Sequence, residues 1–218
     1  MNIVIAANRR IKEAKEQGPV TTGKVREISA VLYKSIEDKS IDNVLFLSEQ
    51  LLKEESWALG IIAYDWAFRV RDQYSIDTFL IFERWLKEYV RDWGDCDDFC
   101  THALGALIGQ YNELFDKILN WTKHPDFWVR RGAAVSLIYP IKKNKYDQIN
   151  PLLISDALLR DDHYLVLKGY GWMLKVLSQQ EPELVFQYLA QKKDTMPRVA
   201  FRYGLEKLRK ERKEMLMK

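Results

Sequence analysis

With 218 residues and 47% hydrophobic content, the chain has enough apolar material for a sizeable core, as one large domain or two small ones. Lys and Arg number 34 against 31 Asp and Glu, a net charge of +3 that neither demands nor excludes a polyanionic partner, so the placement of charge has to decide. Two cysteines exclude a disulfide framework, charges interrupt the amino-terminal segment, and no stretch approaches the roughly 18 apolar residues of a membrane span. A soluble, reduced, cytoplasmic protein is therefore expected.

Apolar residues recur at three-and-four spacing almost throughout, strand-like alternation is scarce, and there are only 10 Gly and 6 Pro; the fold class is all-α. Helices are expected over 2–17, 21–35, 40–53, 56–71, 75–91, 94–109, 111–122, 126–139, 148–160, 163–179, 182–193 and 197–216. Gly18-Pro19, Gly94, His124-Pro125, Asn150-Pro151, Glu181-Pro182 and Met196-Pro197 fall between periodic segments, several with Pro where a first helical turn tolerates it. No low-complexity linker separates these segments, so residues 1–218 read as one domain. Its basic end, 207–218, is interleaved with Glu206, Glu211 and Glu214 and reads as a solvated terminal helix.

The later segments repeat. Val129 to Leu137 lies over Val166 to Leu174 at a spacing of 37, with small residues where helices approach closely, and Tyr203-Gly204 is a weaker echo of Tyr170-Gly171. Helix pairs at this interval suggest HEAT-like repeats, whose ~40-residue units bury their apolar faces by stacking. The expected architecture is a curved α-solenoid of about six antiparallel pairs with a concave binding face; a plain helical bundle is the competing reading.

Three helix starts carry an aromatic residue followed four positions later by a charged one: Trp93 and Asp97, Phe127 and Arg131, Tyr164 and Lys168. Residues four apart share a helix face, and Trp172 continues the last series by one turn. One surface would then carry Trp93, Asp97, Arg131, Lys168 and Trp172. Indoles attract cations and stack on bases, a carboxylate stabilises positive charge, and Arg and Lys grip phosphates. Trp57, Trp66, Trp85 and Trp121 read as packing residues.

The segment Trp93-Gly94-Asp95-Cys96-Asp97, continued to Leu104-Gly105, resembles the Trp-x-x-x-Asp helix of the AlkD-type DNA alkylation repair proteins, which are HEAT-like-repeat alkylpurine DNA glycosylases. Phe127 to Ala134 and Lys168 to Leu174 agree with that family in order and approximate spacing, over roughly residues 20–210. The resemblance implies hydrolysis of the N-glycosidic bond of cationic N3- or N7-alkylated purines in duplex DNA, without a deep base pocket. It also implies a catalytic cleft of Asp97, Trp93 and Trp172, and a DNA contact from Arg131. Arg130 and Lys168 would share the phosphate work, and Arg198 and Arg202, four apart on one helix, would suit backbone contact. Typical members carry more helical material ahead of Val20 to Arg26, so an amino-terminally shortened subgroup is expected.

His102, His124 and His163 are scattered, and Cys96, Cys100 and His102 lack a fourth ligand at zinc spacing. No metal and no cofactor is expected, and Cys96 and Cys100 read as small packing residues. The expected partner is duplex DNA, alkylated and bound by a monomer, with no membrane contact. Two other readings stay open: a non-catalytic relative that binds unusual DNA structures, and a protein-interaction scaffold.

Overall fold

The computed structural model describes residues 2–217; Met1 and Lys218, the ends of the expected 1–218 domain, lie outside them. Among the described residues there is no strand, and the chain is all-α as its periodicity predicts. It divides into two compact units, one up to Ala103 and one from Leu104. The boundary falls inside an unbroken helical run, which is why no linker composition marks it in the sequence.

The first unit contains α1 (Ile3–Gln17), α2 (Thr22–Lys34), α3 (Ile41–Leu52), α4 (Trp57–Arg69), α5 (Thr78–Glu88) and α6 (Trp93–Phe99), followed by a π-helical turn over Cys100–Leu104. Local chemistry sets several starts. Asn2 accepts from the Ile5 N–H, Thr21 from Lys24 and Asp92 from Asp95, each satisfying one amide that a helix start leaves open. The core is aromatic. Phe99 of α6 stacks on Tyr64 of α4 with ring centres 4.9 Å apart and meets Phe82 of α5 edge-on at 5.4 Å. Trp66 and Trp85 are fully buried, and their indole N–H groups donate to the Ser29 carbonyl and the Glu49 carboxylate. The packing role expected for these two, and for the buried Trp121, holds. Trp57 departs from it, since that side chain is 46% exposed.

The second unit contains α7 (Gly105–Gln110), α8 (Phe115–Trp121), α9 (Phe127–Val135), α10 (Ile138–Lys142), α11 (Pro151–Ala157), α12 (Tyr164–Gln180), α13 (Pro182–Lys192), α14 (Arg198–Leu205) and α15 (Lys210–Met217). Helix α12 is central, packed by α9 and by α14. The small residues of the internal repeat sit at these crossings: a Cβ on Gly169 would lie 3.2 Å from Arg131 Cγ of α9, and one on Gly171 only 2.9 Å from Ala200 Cα of α14.

Several expected helices are broken. The expected 94–109 segment contains the π-helical turn, 126–139 is divided between α9 and α10 by a turn at Ser136 and Leu137, and 197–216 is interrupted between Leu205 and Lys210. In the last case tertiary contacts override helical periodicity. Leu208 and Leu216 are buried, and Arg212 of α15 bonds Glu183 at 2.5 Å and lies over the Phe186 ring of α13.

The α12–α14 crossing has no room for a methyl group against backbone. Gly171→Ala is expected to destabilise the protein by about 1–3 kcal/mol. Gly23→Ala, whose Cβ would meet only Thr21 Oγ1 at 3.7 Å, is expected not to. Denaturant unfolding of both variants checks this, and equal effects would refute the crowding.

Candidate functional site

The Asp92 carboxylate accepts the Asp95 N–H at 2.9 Å, which starts α6 at Trp93 and fixes which of its faces is buried. Cys96, Phe99 and Cys100 turn into the core, where the cysteines pack as expected. Trp93 and Asp97, four apart, share the other face. Trp93 is 64% exposed and Asp97 half-buried.

That face opens on a cavity of about 500 Å³ within the first unit. Thr22 and Arg26 of α2 line it, as do Trp57 and Ile61 of α4, the segment from Asp92 to Asp95, Asp97 and Asp98 of α6, and Thr101 and His102 of the π-helical turn. Trp57 opens α4 just as Trp93 opens α6, thirty-six positions on, and Ile61 follows Trp57 at the interval by which Asp97 follows Trp93. That offset is close to the repeat spacing and is the signal by which Trp57 could have been found in the sequence.

Four carboxylates line the cavity against two cationic or titratable basic groups, Arg26 and His102, and both of these bind Asp98. Arg26 Nη2 donates to Asp98 Oδ1, while its Nη1 lies 3.8 Å from Asp65, itself fixed by Ser29 and Arg69. His102 Nδ1–H donates to the Asp98 carbonyl at 2.9 Å and lies 3.3 Å from its carboxylate; the carboxylate raises the imidazole pKa. The second carboxylate oxygen of Asp98 is buried with no hydrogen-bond partner. Thr101 Oγ1 donates to the Asp97 carbonyl at 2.7 Å. Asp95 is half-buried. Burial, reinforced by neighbouring Asp92, pushes its pKa from 3.8 to about 6, against the backbone N–H bonds from Arg91 and Asp92 that favour the carboxylate. Exposed indole faces in a cavity whose carboxylates outnumber its basic groups suit a planar cation and disfavour an anion.

The other sequence-predicted site residues belong to the second unit. Tyr164, Lys168 and Trp172 follow one face of α12; Tyr164 is exposed, Lys168 and Trp172 are half-exposed, and the Lys168 ammonium lies 4.7 Å from the Tyr164 ring centre. Arg198 and Arg202 are exposed on α14. The two arginines of α9 are engaged within the fold. Arg130 bonds Asp161 at 2.6 Å and Asp162 at 3.3 Å, and also donates to the His124 and Pro125 carbonyls. Arg131 is buried, passes Gly169 and donates to the Leu165 carbonyl. The structure thus brings Trp93 and Asp97 to one cavity, and Lys168 and Trp172 to one helix face. Among the described residues no group of three or more His, Cys, Asp or Glu side chains is placed to hold a metal ion, and no helix is long and apolar enough to cross a membrane.

A family model described as DNA alkylation repair enzyme matches residues 6–208. No curated protein matches. Among solved structures, one described as a predicted DNA alkylation repair enzyme from Enterococcus faecalis is similar, with a TM-score of 0.60 and 20% identity over 77% of this chain and 85% of that one. That likeness is one of fold.

The Asp95 environment has a measurable consequence. Its folded pKa of about 6 exceeds the ordinary 3.8, so the folded state holds this proton more tightly, and this group's contribution to stability falls as pH rises through that window. Asp95→Asn keeps a backbone acceptor and removes the titration. The melting temperature is expected to rise at neutral pH and to change much less below the window. Thermal unfolding across pH checks this, and a variant less stable at neutral pH would contradict it.

Proposed function

The chain belongs to the DNA alkylation repair enzyme family, and from that premise we propose that it releases cationic N3- or N7-alkylated purines from duplex DNA by hydrolysing the N-glycosidic bond. The observation that carries the reading is the first-unit cavity, where exposed Trp93 and half-buried Asp97 share a surface rich in carboxylates.

The chemistry fits these side chains. An alkylated purine already carries a positive charge, so when the bond from C1′ to the base nitrogen breaks, the electron pair leaves with the base and neutralises it. No general acid is required. Positive charge then passes to the sugar, and a fixed carboxylate beside it stabilises that charge as it develops. Water adds to C1′ and gives up a proton, for which Asp97 is the acceptor. In this reading Trp93 lies against the cationic base, and Trp172 is assigned a second contact on the strength of the family motif.

Lys168, Arg198 and Arg202 are assigned to the phosphates, supported by their exposure. Arg130 and Arg131 would have to give up bonds to Asp161 and to the Leu165 carbonyl to reach DNA, so their first contribution is to hold α9 against the segment that leads into α12. The reading includes helix pairs repeating in the HEAT manner, supported by the packing of α3 on α4 and of α12 against α9 and α14, and by the 37-residue internal match. It also includes a cytoplasmic monomer that works without metal or cofactor.

Asp97→Asn is expected to slow release of 7-methylguanine from duplex DNA by roughly 10²–10³-fold while changing duplex affinity little. Single-turnover release and equilibrium binding measure the two. Equal loss of both would overturn the catalytic role, and tight binding by the wild type without release would leave a DNA-binding protein. Arg198→Ala and Arg202→Ala are each expected to lower the salt dependence of log K by about one unit of slope. An unchanged slope would remove them from the interface.

A further inference from the structure

We propose that Trp57 is a second aromatic wall of the Asp97 cavity, and that this cavity binds a planar organic cation of alkylpurine size without DNA.

Trp57 and Trp93 stand apart from the other tryptophans of the first unit. Trp66 and Trp85 are fully buried and donate their indole N–H groups to the protein. Trp57 and Trp93 are 46% and 64% exposed, and among the described residues neither indole packs on another ring, lies under a cation, or donates a hydrogen bond. A single exposed apolar side chain is unremarkable on a protein surface. Here two exposed indoles line the same concavity from the first positions of two helices that pack together.

Charge decides what the concavity takes. Asp92 and Asp95 accept only backbone N–H groups, while Arg26 and His102 are both committed to Asp98. An anion would meet carboxylates, and a neutral ring would gain stacking alone. A planar cation gains both stacking on electron-rich faces and the field of the carboxylates. The volume, about 500 Å³, lies within the range of small-molecule pockets, and every lining residue belongs to the first unit, so the duplex is not needed to complete the walls. Because an alkylpurine becomes neutral when it leaves the sugar, the same preference would favour the lesion over the released base.

The choice of an alkylpurine as occupant rests on the function proposed above, whereas the preference for a cation over a neutral ring of the same shape rests on the cavity alone. Isothermal titration of the intact protein, without DNA, with 7,9-dimethyladeninium and with uncharged 9-methyladenine separates the two. The cation is expected to bind about tenfold more tightly. Trp57→Ala and Trp57→Leu are expected to lose most of that preference and Trp57→Phe to keep much of it, at melting temperatures close to the wild type. Absence of binding, equal affinity for both rings, or a preference untouched by Trp57→Ala and Trp57→Leu would each overturn the proposal. Cation binding without base release from DNA would leave this inference standing and defeat the enzymatic reading; release from DNA with no Trp57-dependent cation binding would do the reverse.

Discussion

The site depends on how Asp98 is held. Arg26 comes from α2, Asp98 from the end of α6 and His102 from the π-helical turn, so one half-buried carboxylate joins three segments of the chain at the point where α6 gives up regular helical bonding. The extra residue in that turn advances His102 and Thr101 to where they meet the last polar groups of α6. Both basic groups of the cavity bind Asp98, while Asp92 and Asp95 accept only backbone N–H groups. The cationic Arg26 is thus taken up by Asp98 and by Asp65.

This arrangement resolves what looks in the sequence like a conflict. Four aspartates in a run of seven residues repel phosphate, which is awkward for a protein of DNA. In the structure they have different work: Asp92 caps the helix, Asp98 is neutralised within the fold, Asp95 is buried far enough to be half-protonated near pH 6, and Asp97 shares the cavity with Trp93. In the proposed function, a cavity that disfavours phosphate yet favours a positively charged base would discriminate between DNA backbone and lesion. The cations suited to backbone, Lys168, Arg198 and Arg202, are on other elements.

Much of this was legible in the sequence because helical periodicity and caps are local. The three aromatic-plus-four pairs mark helix starts, and α6, α9 and α12 begin at Trp93, Phe127 and Tyr164. The repeated small residues also meant close crossings, as Gly169 and Gly171 show. What escaped was whatever long-range contact decides. Nothing local to Arg130 or Arg131 announces Asp161 or the Leu165 carbonyl, more than thirty residues away, so two cations in an apparent DNA motif proved to be engaged inside the fold. The boundary at Ala103 and Leu104 has no linker signature because it lies within helix. Trp57 was hidden by the ordinary expectation that tryptophan in a helical protein is core, though its offset from Trp93 was present to be noticed.

The central claim is that the cavity beside Asp97 selects the positive charge of an alkylated base. The most direct test is the affinity of the Asp97→Asn protein, in which the lesion survives, for a duplex containing one 7-methylguanine against the same duplex containing 7-methyl-7-deazaguanine, which has the same shape without the charge. The account predicts tighter binding of the charged lesion by several-fold to about tenfold. Equal affinity for the two duplexes would contradict it.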